Sequence, residues 1–167
     1  MTTPQRILIL CGIALIACTM AFGVGYALFD EHQTLVGMGT QMATGFMEAS
    51  RGDMESAYAA LDAYGAISQE YRNEVHSHGH WGMLSLILIV LGLTFDRMAL
   101  TGKQGLLLAC VLALSAALFP LGVLLQIGPA GGIGKVFSIA GSMGMVFGLL
   151  GAVYGLLKSR PDGHTES

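Results

Sequence analysis

Charge is what this 167-residue chain is short of, since only 11% of its residues are Asp, Glu, Lys or Arg against about a quarter in soluble domains. With 53% hydrophobic residues and a mean hydropathy of +0.64, that deficit excludes an ordinary water-soluble domain and describes a membrane protein, with the lipid bilayer as its first partner. Eight Lys and Arg stand against eleven acids, for a net charge of −3, and they form no run. The basic footprint of a nucleic-acid binder is missing, so that class is set aside. Cysteine is scarce too: Cys11, Cys18 and Cys110 fall inside apolar runs without CxxC spacing, which argues against a disulfide framework. There is no Walker-type phosphate loop, GxGxxG, HExxH or GxSxG motif, and the common soluble enzyme classes have no foothold.

What the chain does have is long apolar stretches. A membrane-crossing helix needs about 20 predominantly apolar residues, and four segments meet that need: 7–29, about 76–95, 105–127 and 133–157. The second is short in its wholly apolar part, 81–95, so its helix has to begin upstream. That places His76, His78 and His80 at a membrane surface. Arg6, Arg97, Lys103, Lys158 and Arg160 lie close to span ends on one side, whereas Lys135 lies on the other and Arg51 and Arg72 are far from any span. By the positive-inside rule both termini are then cytoplasmic, and 30–75 and 128–134 face outward. The sequence therefore predicts an all-α membrane protein: a four-transmembrane-helix bundle of a bacterial inner membrane, with its first two helices extended into an outward helical hairpin. A competing reading takes Leu15-Ile16-Ala17-Cys18 as a lipoprotein signal lipidated at Cys18. The apolar run continues to Phe29, beyond the roughly 7–15 residues of a signal peptide, and favours a span.

Residues 30–80 hold Asp30, Glu31, Glu48, Asp53, Glu55, Asp62, Glu70 and Glu74 against Arg51 and Arg72, a local charge of −6. Apolar residues recur at helical spacing, as Leu35, Met38, Met42 and Phe46 and again as Met54, Tyr58, Leu61 and Tyr71, the pattern of two helices sharing a seam. Arg51-Gly52 interrupts the pattern, and Asp53 is suited to cap the next helix. The alternative is a solvated loop, because acidic helices with few large apolar residues are marginal.

Chemistry concentrates in Glu74-Val75-His76-Ser77-His78-Gly79-His80-Trp81, which carries three of the five histidines. On a helix His76 and His80 share one face while His78 points nearly the opposite way. Paired imidazoles at that spacing are a common start to a metal site, and His32, Asp30 or Glu31 would add donors from the first helix. Imidazoles with carboxylates suit zinc, copper or iron, and the thioether of Met83 would tilt the choice to copper or haem iron. Two plainer roles compete: packing of amphipathic rings at the headgroup level, and a proton switch near neutral pH.

Arg72, His76-Ser77-His78, Gly82, Leu84 and Gly92 resemble the start of the HxH-led helix in haem–copper oxidase subunit I and its nitric oxide reductase relatives, and in small membrane proteins with a similar helix. The resemblance implies that His76 or His78 occupies the haem-ligand position. It covers residues 72–92 only, and no histidine occurs in the third or fourth apolar segment, so the family's oxygen chemistry does not carry over.

The fourth segment carries Gly144, Gly148, Gly151 and Gly155 along one stripe, a surface for close helix packing in lipid; Ala109, Ala113 and Ala117 on the third are a suitable mate, and another protomer is the alternative. Pro120 predicts a kink, and Gln126 either caps its helix or meets a ligand headgroup. The expectation for function is a protein that holds a transition metal or haem through His76, His80, His78 and His32, with Asp30, Glu31 and Met83 as further ligands. It would serve electron transfer or metal handling with a membrane partner or a second copy and not catalyse turnover by itself. The alternative is a structural or assembly subunit of a larger membrane complex. A transporter is disfavoured, because the spans carry none of the buried charges that mark an ion path.

Overall fold

Five α-helices and one short 3-10 turn account for the regular structure of the computed structural model, which describes residues 1–127 and 129–158. Arg160, counted above among the cytoplasmic-side cations, lies outside the described residues. In chain order the helices are α1 (Thr3–Phe29), α2 (Glu31–Ser50), α3 (Met54–Leu93), α4 (Gly102–Leu124) and α5 (Gly131–Lys158), with the 3-10 turn at Phe95–Arg97 before α4. No strand occurs among the described residues.

Local chemistry explains the boundaries. Thr2 and Gln5 form a capping box at the start of α1, the Thr2 amide donating to Gln5 Oε1 at 2.7 Å, and Thr101 with Gln104 repeats it at α4. Such reciprocal caps satisfy amides that a helix start leaves without partners. Between α2 and α3 the chain reverses over three residues. Gly52 adopts φ +82°, open to glycine at no steric cost, the Gly52 amide donates to the Ala49 carbonyl, and the Asp53 amide donates to that of Glu48. This pair of bonds is the Schellman helix ending. Asp53 then caps α3, accepting from the Ser56 amide at 3.1 Å and the Ser56 hydroxyl at 2.8 Å.

One expectation needs correcting here. The first helix is not prolonged unbroken, because Asp30 (φ −117°, ψ −37°) ends α1 and starts α2. The second is prolonged as expected: hairpin arm and apolar stretch are one 40-residue helix, about 60 Å long at 1.5 Å per residue. Three helices, α1, α4 and α5, are long and apolar enough to cross a membrane. Only 17%, 33% and 22% of their most apolar windows is buried within the chain, so most of that apolar surface is left for lipid. The chain is an all-α membrane protein.

Packing follows small residues. Along the α1–α3 seam Gly12 lies against Ser85 and Ile89, Thr19 against Gly82, and Gly92 against Leu8 and Ile9. The α4–α5 seam is built the same way: Gly144 meets Ser115, Gly148 meets Leu112, Gly151 meets Leu108, and Gly155 meets Met98 and Leu100. The glycine stripe of α5 thus faces α4 within the chain, and the opposing row is Leu108, Leu112 and Ser115, offset from the alanine row read in the sequence. α4 also packs on α1 and α3, closing a core that includes Leu8, Leu88, Leu112, Ala116 and Met145. Pro120 is buried within α4, which continues to Leu124. α1 runs uninterrupted through Cys18, and Leu8, before it, is fully buried.

Candidate functional site

The three clustered histidines occupy two faces of α3. His76 and His80 lie one turn apart, their ring centroids 6.1 Å apart at an interplanar angle of 59°. The His80 ring also rests 4.8 Å from that of Phe119 on α4. His78 faces the other way, toward α1, where its ring fills the notch left by Gly23: a Cβ added to Gly23 would stand 2.6 Å from His78 Cε1. The His78 ring lies against Phe22, centroids 6.3 Å apart and 28° from parallel.

The depth of these rings follows from the register of α1 against α3. His78 is level with Gly23, six residues short of the end of α1 at Phe29, or about 9 Å along the helix axis.

The expected donors do not gather into one centre. Among the described residues no group of three or more His, Cys, Asp and Glu side chains is placed to hold a metal ion. The reason is angular, because residues two apart on a helix point about 200° from one another whereas residues four apart share a face. His78 looks at α1, whereas His76 and His80 look away from it, and His32, on α2, is exposed. Asp30 is exposed at the α1–α2 turn, and Met83 is 62% exposed. Glu31 instead joins His78, Glu74, Phe22, Gly23 and Tyr26 around a cavity of about 220 Å³ between α1, α2 and α3.

That cavity sits in an aromatic cluster. Phe22 and Tyr26 lie 14° from parallel with centroids 6.4 Å apart, Trp81 meets Phe22 edge-on at 6.0 Å, and Tyr71 approaches Tyr26 at 6.5 Å. Two polar atoms in this cluster, His78 Nδ1 and Trp81 Nε1, are buried without a hydrogen-bond partner, a state that is costly and uncommon in proteins, while the Tyr26 hydroxyl lies beside Thr34 and Glu74. Glu74, whose carboxyl lies near the Tyr26 hydroxyl, is held above the usual carboxylate range, first by burial and then by the charges of Glu70 and Asp30. Phe22, Gly23 and Tyr26 are absent from the sequence reading. Their signal was present as an aromatic pair at i, i+4 and as Gly12, Thr19 and Gly23 at one helical face.

Gln126 is engaged within its own helix pair, its amide donating to Ser138 Oγ at 3.2 Å and to the Gly122 carbonyl at 3.3 Å. Ser77, Ser85 and Thr19 turn their hydroxyls to carbonyls one turn back, at Asn73, Trp81 and Leu15, a satisfied state for small polar residues in buried helices. At the hairpin tip, Met42, Phe46, Tyr58, Leu61 and Tyr64 line an apolar cleft of about 280 Å³. No family model matches this sequence, and neither a curated protein nor a solved structure matches it.

Proposed function

We propose that this chain is a four-span protein of a bacterial inner membrane that carries a transition-metal ion at its outer end on His76 and His80. The fourth span is about 76–95, most of it the apolar end of α3, whose part 82–92 runs level with residues 8–19 of α1; a segment at that depth has no water to meet its backbone and has to be helical. Arg6, Arg97, Lys103 and Lys158 belong to helix ends that share one side of the bundle, which supports cytoplasmic termini and an outward hairpin.

The observation that carries the metal reading is the His76–His80 ring pair. Two imidazoles one turn apart supply half of a four-coordinate shell, and copper, zinc and iron all accept such donors. The other half comes from a second copy or a membrane partner, which is why a single chain shows no complete centre. Haem iron would take one of these rings only, since two rings on one helix face do not reach opposite axial positions. The role is electron transfer or metal handling in concert with that partner. Protein purified in mild detergent with its partners retained should contain bound metal by elemental analysis, roughly one ion per two chains for a second copy and one per chain for a membrane partner, lost in the double variant His76→Ala, His80→Ala and kept in His78→Gln. Wild-type protein free of both metal and a visible absorption band sinks the reading.

A second reading, an assembly subunit without its own cofactor, is favoured by the apolar cleft at the hairpin tip, where Phe46 is 73% exposed. It expects a co-purifying membrane protein that is lost in Phe46→Ser, Tyr58→Ser and retained when the histidines are replaced.

A further inference from the structure

We infer that the cavity between α1, α2 and α3 binds an ammonium group, carried by a small organic amine or by a lipid headgroup. The site lies on the face of α3 opposite His76 and His80, so it goes beyond the metal reading and stands or falls separately.

The walls suit a soft cation. Phe22 and Tyr26 form one side, and Glu31, Glu74 and His78 form the other. Aromatic faces attract ammonium groups through the ring quadrupole, more strongly where water is excluded. Around these walls the field is negative, because Asp30 and Glu70 lie near enough to act on Glu74. Among the described residues no cation is placed to answer that charge. No Lys or Arg lines the cavity, the Arg72 guanidinium donates to Ser68 Oγ at 3.4 Å, and the one ion pair among the described residues, Arg51–Glu48, is at the hairpin tip.

Other ligand classes fit less well. An anion would add to four carboxylates already close together, and a neutral ring would leave them unpaired. A bare metal ion needs donors that converge, and these do not. An ammonium group has the complementary chemistry: positive charge for Glu31 and Glu74, and attraction to the rings of Phe22 and Tyr26 that line the same cavity. Burial and the neighbouring acids disfavour the charged form of Glu74, and a cation beside it opposes that effect.

The chain carries its own reporter, because Trp81 is its single tryptophan and meets the cavity residue Phe22 edge-on. Full-length protein in phosphatidylglycerol nanodiscs is titrated with choline while Trp81 fluorescence and calorimetric heat are recorded on the same samples. A saturable response is expected, weakened about tenfold in Glu74→Gln and in Glu31→Gln by loss of one charged contact, with helicity by circular dichroism unchanged. The inference is overturned by the absence of saturable binding in both readouts. It is equally overturned if the neutral isostere 3,3-dimethylbutanol binds as tightly as choline, or if Glu74→Gln with intact helicity binds normally. Repeating the titration in phosphatidylethanolamine nanodiscs identifies the source: a response abolished there supports a lipid headgroup as occupant, and one that persists supports a free amine.

Discussion

Glu74 and His78 are one turn apart on α3, and both side chains turn toward α1 at the cavity. Burial, followed by the charges of Glu70 and Asp30, raises the Glu74 carboxyl above its ordinary value. A group that binds its proton more tightly folded than unfolded stabilises the fold at low pH and loses that contribution as pH rises through the folded value. In thermal unfolding of the full chain in detergent, stability should therefore fall as pH climbs from the ordinary carboxylate range through the raised one. Glu74→Gln should remove that part of the slope, and a variant whose pH dependence matches the parent contradicts the assignment. At this scale the sequence is only half legible. His76, His78 and His80 are visible as a cluster, and the helical period already separates His78 from the other two. What no spacing rule supplies is the identity of the wall opposite His78, since Gly23 and Phe22 meet it from about fifty residues away along the chain.

Helix ends are more legible than helix partners, because caps are made within a few residues. Arg51-Gly52 and Asp53 stand out in the sequence as a break followed by a cap, and the structure places a left-handed Gly52 and an Asp53 that accepts from Ser56. The continuity of α3 was legible although its composition changes from acidic to apolar, which marks a change of solvent and not of backbone, whereas the break of the first helix at Asp30 carries no glycine or proline to announce it. The glycines of α5 illustrate the remaining gap: their stripe is plain, yet which row of α4 it would meet depends on a register set by close contacts such as Gly141 with Phe119. The α2–α3 turn can be weakened without touching any other contact. Gly52→Ala should cost about 1 kcal/mol through its positive φ, and Asp53→Ala about the same through the lost cap. Hydrogen exchange should show faster opening of 48–58 in both variants, with the apolar half of α3 as protected as before. Loss of protection throughout α3 would mean that hairpin and bundle unfold as one unit.

For the whole molecule, the decisive geometry is that α3 returns along α1 for its full apolar length. Gly92 packs on Leu8 and Ile9, and Gly12 lies against Ser85 and Ile89, so the two helices traverse the same depth and the chain arrives at 95–101 beside its own N-terminus. The end of α5 joins that side, where the Ala99 amide donates to the Gly155 carbonyl at 3.0 Å. The hairpin tip at 50–53 is then on the opposite side from Ala99. If α3 stopped at the surface, leaving α1, α4 and α5 as the crossing helices, Ser50 and Ala99 would share a side. Single cysteines discriminate the two arrangements. The native Cys11, Cys18 and Cys110 lie within α1 and α4 and are first replaced by alanine. In intact spheroplasts a membrane-impermeant maleimide should label Ser50→Cys, and Ala99→Cys only after lysis. Labelling of both sites before lysis would reduce the protein to three spans and leave the histidines on a surface helix. The reverse pattern would keep four spans but turn the acidic hairpin, the His76–His80 pair and the aromatic cavity toward the cytoplasm, where their partners would have to be sought instead.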